Sequence, residues 1–130
     1  MKLLLDTHIL LWAAADTLPR TAAEYIRDES NVLLFSPASI WEVVIKRGLS
    51  RDDFDVDPHL LNKGLLDNGY EQLQITAQHT LMTGTMPMIH KDPFDRILLA
   101  QAITEGVSLL TADRIMAEYP APVIFIINEE

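Results

Sequence analysis

At 130 residues, 48% of them hydrophobic and 22% charged, the chain has the make-up of one soluble globular domain, able to bury roughly two-thirds of its unfolded surface. It has no cysteine, which excludes a disulfide scaffold and a thiolate zinc site and fits a cytoplasmic setting. The net charge of −9 argues against a protein that coats nucleic acid by bulk electrostatics, but a nuclease stays open, because remote charges are screened over about 8 Å at physiological salt.

The first apolar run, Leu3–Leu5, is cut short by Asp6, and no small-residue cleavage site follows. It therefore reads as a buried strand rather than a signal peptide, and no stretch is long enough to span a membrane. Asp6 leads into Ile9-Leu10-Leu11-Trp12, a helix start that Asp6 is suited to cap. Val32–Phe35 is a second strand. Like the first it is apolar without alternation, as expected when both faces are covered. Ser36-Pro37 then offers an N-cap with proline at the first helical position, and the helix carries Ser39, Trp41 and Glu42. The aspartate-rich Leu49–Pro58 segment reads as a loop. Leu73–Ile75 is a weaker third strand, and Thr76 can cap a helix over Ala77–Thr83. Asp92-Pro93 opens the next helix, Gly106 stands where a helix C-terminus needs glycine, and Ser108–Leu110 and Val123–Ile127 complete the strands. The alternation predicts parallel strands with right-handed crossovers. The expected fold is an α/β/α three-layer sandwich forming one domain over residues 1–130.

In such a sheet the strand C-termini and nearby helix starts share one edge, where ligands bind. Four acids fall at that address. Asp6 and Asp113 follow strands, Glu42 is on the Ser36-Pro37 helix, and Asp95 is in the first turn after Asp92-Pro93. Capping is the simpler use for Asp6 and Asp113 taken singly, but their shared position suggests a common site. Asp92, directly before the proline, is placed to cap. Asp95, one turn inside, stays free to point at the strand edge. Carboxylates gathered there repel one another unless a divalent cation holds them. His8, His59, His79 and His90 form no HxH or HExxH spacing, so an oxygen-ligated hard ion, Mg²⁺ or Mn²⁺, is the expected occupant. Thr7, Ser39 and Thr111 are candidates to orient the carboxylates, with local backbone bonding as the alternative use. Lys46, Arg47, Lys91, Arg96 and Arg114 lie beside the acids in sequence and could form a basic rim for a phosphate backbone. They could equally be ordinary surface charges, Glu42 and Lys46 being a plain i,i+4 pair. Trp12 and Trp41 read as core or interface residues. Phosphate-cradling glycine loops and a Gly-x-Ser-x-Gly elbow are missing.

Four stretches, Leu3-Leu4-Leu5-Asp6-Thr7-His8, Ser36-Pro37-Ala38-Ser39-Ile40-Trp41-Glu42-Val43, His90-Lys91-Asp92-Pro93-Phe94-Asp95-Arg96 and Leu109-Leu110-Thr111-Ala112-Asp113, together resemble PIN-domain proteins, in particular VapC-type toxins of toxin–antitoxin pairs. They occur in the family's order and span nearly the whole chain. The resemblance implies a Mg²⁺- or Mn²⁺-dependent endoribonuclease whose acidic set is Asp6, Glu42, Asp95 and Asp113. It also implies an antitoxin partner and a homodimer. The 18-residue step from Asp95 to Asp113 fits the family's spacing and favours Asp95 over Asp92 as the ligand. Two rival readings are a receiver-like Mg²⁺-binding signalling domain and a non-catalytic PIN-fold binding module. The receiver requires a phosphoacceptor aspartate on a central strand and a later lysine. Here the second strand ends in Ser36-Pro37, and Asp113 follows the fourth.

Overall fold

A computed structural model of the chain describes residues 1–49 and 55–127. Five strands, β1 (Lys2–Leu5), β2 (Val32–Phe35), β3 (Glu71–Gln72), β4 (Ser108–Thr111) and β5 (Val123–Phe125), form one all-parallel sheet in the order β3-β2-β1-β4-β5. Helices α1 (Thr7–Ala14), α2 (Arg20–Arg27), α3 (Pro37–Gly48) and α4 (Pro58–Asp67) cover one face, and α5 (Ala77–Thr83) and α6 (Pro93–Glu105) the other. The expected α/β/α sandwich is what the chain forms.

The leucine-rich strands follow from this layering. Successive side chains of a strand point to opposite faces. Leu3 and Leu5 of β1 therefore pack with Phe35 and Leu110 against Ile9, Leu10 and Val43. Leu4 between them joins Leu34 and Leu109 against Leu98 and Leu99 of α6. A strand covered on both sides needs apolar residues at every position, which explains the lack of alternation.

The chain moves from β1 outward to β2 and β3, then returns through α5 and α6 to place β4 on the other side of β1. The carboxyl ends of β1 and β4 thus flank the point where strand order reverses, the usual crevice of an open α/β sheet.

Several helix starts are where the sequence puts them. Ser36 accepts from the Ala38 N–H, Asp92 from Phe94 and Asp95, and Thr76 from His79. The buried His79 imidazole returns a bond to Thr76 and reaches Glu105 Oε2 at 2.9 Å, joining α5 to α6. Gly106 ends α6 in the left-handed region at φ 66°, a conformation that costs glycine little.

The third strand differs from expectation. It is Glu71–Gln72, not Leu73–Ile75, pairing with Leu34 and Phe35 of β2. Leu73 makes one more sheet bond, its N–H to Phe35 O at 2.8 Å, and its own carbonyl then turns to the Gln101 side chain, as does that of Gln74. A buried glutamine amide thereby ends the strand early. β5 likewise stops at Phe125 rather than Ile127. Half of the loop expected at Leu49–Pro58, residues 50–54, lies outside the described residues. Among the described residues no helix is long and apolar enough to cross a membrane.

Candidate metal centre

Asp6 is the first residue beyond β1, and its N–H donates to Leu110 O at 3.1 Å, so the sheet fixes it beside β4. Its two carboxylate oxygens do different work. Oδ1 accepts from the Ile9 N–H at 2.9 Å and caps α1, while Oδ2 accepts a short hydrogen bond from the Thr111 hydroxyl. Capping therefore occupies only one of the two carboxylate oxygens. Thr111 Oγ1 also accepts from the Asp113 N–H at 3.0 Å, so one threonine positions two of the acids. Asp113 Oδ1 accepts from Ile115 N–H at 2.8 Å, leaving Oδ2 turned inward.

Glu42 and Asp95 enter from helices. Glu42 is on the buried side of α3 with 6% of its surface exposed. Its Oε2 lies 3.0 Å from Lys46 Nζ, and its Oε1 is buried with no hydrogen-bond partner among the described residues. An unpaired buried carboxylate oxygen costs on the order of 1–3 kcal/mol or more, so this atom marks a place for a ligand. Asp92 Oδ1 caps α6 through the N–H groups of Phe94 (2.8 Å) and Asp95 (3.4 Å), so the Asp95 carboxylate takes no part in the cap. Ser39 accepts from the Thr7 hydroxyl at 2.9 Å in the interior. It links α1 to α3 and makes no bond to Glu42 among the described residues.

Asp6, Glu42, Asp95 and Asp113 all line one cavity of about 350 Å³, with Thr7, Asp92 and Lys46 also on its wall. For Asp6 and Asp95 the environment opposes ionisation. Burial raises the Asp6 carboxyl above its ordinary range, against the Thr111 and Ile9 hydrogen bonds. Asp95 is pushed up to about 7, first by burial and then by the charge of Asp92, with Glu42 and Asp6 adding to the push and His90 opposing it. The donor set fits a hard divalent cation: four carboxylates converge, one with a buried oxygen lacking a partner, and no thiolate is present.

The five basic candidates do not form one rim. Lys46 lines the cavity beside Glu42. Arg47 pairs with Asp55 (3.8 Å) and Asp57 (3.6 Å), away from the cavity. Lys91 lines a different hollow, beside α5 and Pro93. Arg114 places its guanidinium over the Phe125 ring, 5.3 Å from the centroid. Arg96 departs furthest from expectation. It is only 8% exposed, and its guanidinium donates to Thr83 O (2.6 Å), Pro87 O (3.0 Å), Tyr119 Oη (3.2 Å) and His90 O (3.4 Å). A guanidinium committed to three carbonyls and a phenol oxygen inside the fold has a structural use for its donors. The helical period carried the signal, since Arg96, Leu99 and Ala100 share one face of α6.

Three residues not assigned to the site also reach it. His8 and the half-buried Trp12 line the cavity from the first and second turns of α1. Trp41 is instead 62% exposed and meets Phe94 edge-on at 5.2 Å, so it is not a core residue. His90 is the larger omission. Its Nε2 is 2.9 Å from Asp95 Oδ2 and 3.0 Å from Asp113 Oδ2. Together these three side chains bring one ligand-type atom each within 4.8 Å of one another. In sequence His90 shows only as a histidine five residues before Asp95, outside any metal-binding spacing.

No curated protein matches the sequence. Several solved structures share the fold, among them the following three. A chain in the structure of VapBC2 from Rickettsia felis bound to a DNA fragment from their promoter has a TM-score of 0.73 at 16% identity, covering 97% of this chain and 99% of that one. DNA-bound VapBC from Salmonella typhimurium gives 0.68 at 15%, covering 96% and 98%. VapBC-1 from nontypeable Haemophilus influenzae gives 0.66 at 17%, with the same coverage. In the sequence itself, residues 3–122 match the PIN domain, a span that runs from β1 to the approach to β5 and includes all four acids of the cavity. The chain is therefore a member of the PIN domain family.

Proposed function

We propose that this protein is an endoribonuclease that hydrolyses RNA phosphodiesters with Mg²⁺ or Mn²⁺, and that it acts as the toxin of a toxin–antitoxin pair in the cytoplasm. The observation that carries the reading is the convergence of four carboxylates from four separate segments on one cavity, with one Glu42 oxygen, Oε1, buried and unpaired among the described residues. Asp6, Glu42, Asp95 and Asp113 are the residues that would hold the ion. When bound, it supplies neutralisation of phosphate charge and a more acidic attacking water.

The chain's own groups define the rest. Thr111 fixes Asp6 and the Asp113 backbone. Asp92 holds the start of α6 so that Asp95 faces the cavity. Lys46, 37% exposed, is placed both to balance Glu42 and to meet a phosphate at the mouth. RNA as substrate rests on the family resemblance, and the antitoxin on that resemblance together with the VapBC complexes that share the fold. A homodimer is part of the same proposal, for which Trp41, Val44 and Ile45, exposed on α3, supply apolar surface.

The topology speaks against a receiver. A receiver-type sheet has its second strand at the edge, whereas here β3 takes that edge and β1 is central.

The test is cleavage of a defined RNA by the parent and the Asp6→Asn variant in Mg²⁺, in Mn²⁺ and with EDTA. Cleavage only by the parent with metal is expected. Equal cutting by parent and variant, or cutting undiminished by EDTA, would sink the proposal.

A further inference from the structure

His90 is held from three sides before it touches an acid. Its backbone N–H donates to Tyr119 Oη at 2.6 Å. Its carbonyl accepts from Arg96 Nη1 at 3.4 Å, and Arg96 Nη1 also donates to Tyr119 Oη at 3.2 Å. Its ring Nδ1 accepts the Asp92 N–H at 3.2 Å. Arg96 further gathers the carbonyls of Thr83 and Pro87, so one buried guanidinium organises the chain that delivers this imidazole to the cavity.

The bond at Nδ1 decides the chemistry at the other nitrogen. An Nδ1 that accepts a backbone N–H carries a lone pair there, so the proton of the neutral ring is on Nε2. A histidine that ligates a metal has the reverse arrangement, with its lone pair toward the ion and its N–H toward an outer acceptor. In His90 the N–H faces inward, in hydrogen-bond geometry to Asp113 Oδ2 and 2.9 Å from Asp95 Oδ2.

We propose that His90 is a positioning residue and not a ligand: its Nε2–H clamps Asp95 and Asp113 at the spacing a divalent cation needs, and Arg96 and Tyr119 hold the clamp. The inference rests on the metal-centre reading above and deepens it. Two carboxylates that repel each other are kept together by a donor that stays outside the ion's coordination sphere, leaving an oxygen-only set with Asp6 and Glu42. Such a site takes Mg²⁺ or Mn²⁺ readily and gives Zn²⁺ no nitrogen.

The experiment uses the full chain with Mn²⁺ as the probe. Electron spin echo modulation of the Mn²⁺-loaded parent is expected to lack the ¹⁴N coupling of a coordinated imidazole. Mn²⁺ titration is expected to show affinity about 10–100-fold weaker in His90→Ala, with most of it regained in His90→Gln, which keeps an N–H donor. Tyr119→Phe, which loosens the clamp, is expected to weaken Mn²⁺ binding by a smaller factor. A directly coordinated ¹⁴N would overturn the proposal, as would His90→Ala binding within about twofold of the parent, or His90→Gln being no better than His90→Ala. Should His90→Ala fail to fold in a thermal melt, the parent spectrum and the other two variants decide. A parent that binds no Mn²⁺ defeats the metal centre and the clamp together. A parent that binds Mn²⁺ as expected but cuts no RNA defeats the nuclease reading alone.

Discussion

Asp95 and Arg96 are neighbours in the first turn of α6, and the fold treats their charges in opposite ways. The Arg96 guanidinium is buried among four oxygens supplied by the protein. The Asp95 carboxylate is turned to a cavity shared with Asp6, Glu42, Asp92 and Asp113, and burial first, then the charges of Asp92, Glu42 and Asp6, push its pKa up to about 7. One charge is complete within the chain, and the other is complete only with something added. The comparison separates a structural charge from a ligand-seeking one: the decisive quantity is how many oppositely matched partners each group has after folding.

The largest contrast lies in activity. Asp95→Asn is expected to lower RNA cleavage in Mg²⁺ by a factor of about 10²–10⁴, the order expected when a principal electrostatic element of a site is lost, read from initial rates on a defined RNA. The same variant should still fold. Arg96→Met is expected to cost about 2–4 kcal/mol of unfolding free energy in urea titrations, because the carbonyls of Thr83 and Pro87 lose a buried charged donor. Arg96→Lys is expected to recover only part of this, since an ammonium cannot reproduce the fork.

The third contrast depends on pH. Asp95 has a folded pKa of about 7 against an ordinary 3.8, so between those values the folded protein binds more protons than the unfolded chain. Its contribution to stability therefore falls as pH rises through that window. Metal-free Asp95→Asn escapes the loss and should exceed the parent's stability by about 1–3 kcal/mol at pH 7.5, the gap closing near pH 4. A gap that widens on acidification would reverse the sign and refute the assignment. Adding Mn²⁺ to the parent should close the same gap at pH 7.5. The smallest effect is expected at Lys46. Lys46→Gln should change catalytic efficiency by less than about tenfold and reduce its salt dependence, because the amine is partly exposed and screened.

The sequence carries the sheet and most of the acid set because both follow local rules. Buried strands are apolar throughout, caps are Ser36, Thr76 and Asp92 at expected offsets, and position within a helix distinguishes Asp95 from Asp92. The Thr111 bond to Asp6 follows from strand register, since β1 and β4 run side by side with Leu5 opposite Leu110. What stayed hidden depends on closure over distance. His90 sits outside any helix or strand and reaches Asp113 across 23 residues, and its placement rests on Tyr119, 29 residues away. Arg96 was legible as a member of the apolar face of α6, but its charge beside Asp95 invited a surface reading. The third strand slipped because Gln101, on a helix far along the chain, draws off the carbonyls of Leu73 and Gln74.

Trp12 gives the cavity an optical signal of its own. The indole lines the same space as the four carboxylates, whereas Trp41, the other of the chain's two tryptophans, stands on the outer side of α3. Paramagnetic Mn²⁺ held by those acids would quench the shorter-wavelength emission of the enclosed indole and leave the red-shifted emission of the exposed one as an internal reference. Diamagnetic Mg²⁺ would displace Mn²⁺ and restore the lost light. Occupancy of the centre can thus be followed by fluorescence in the unlabelled protein, without RNA and without waiting for a bond to be cut.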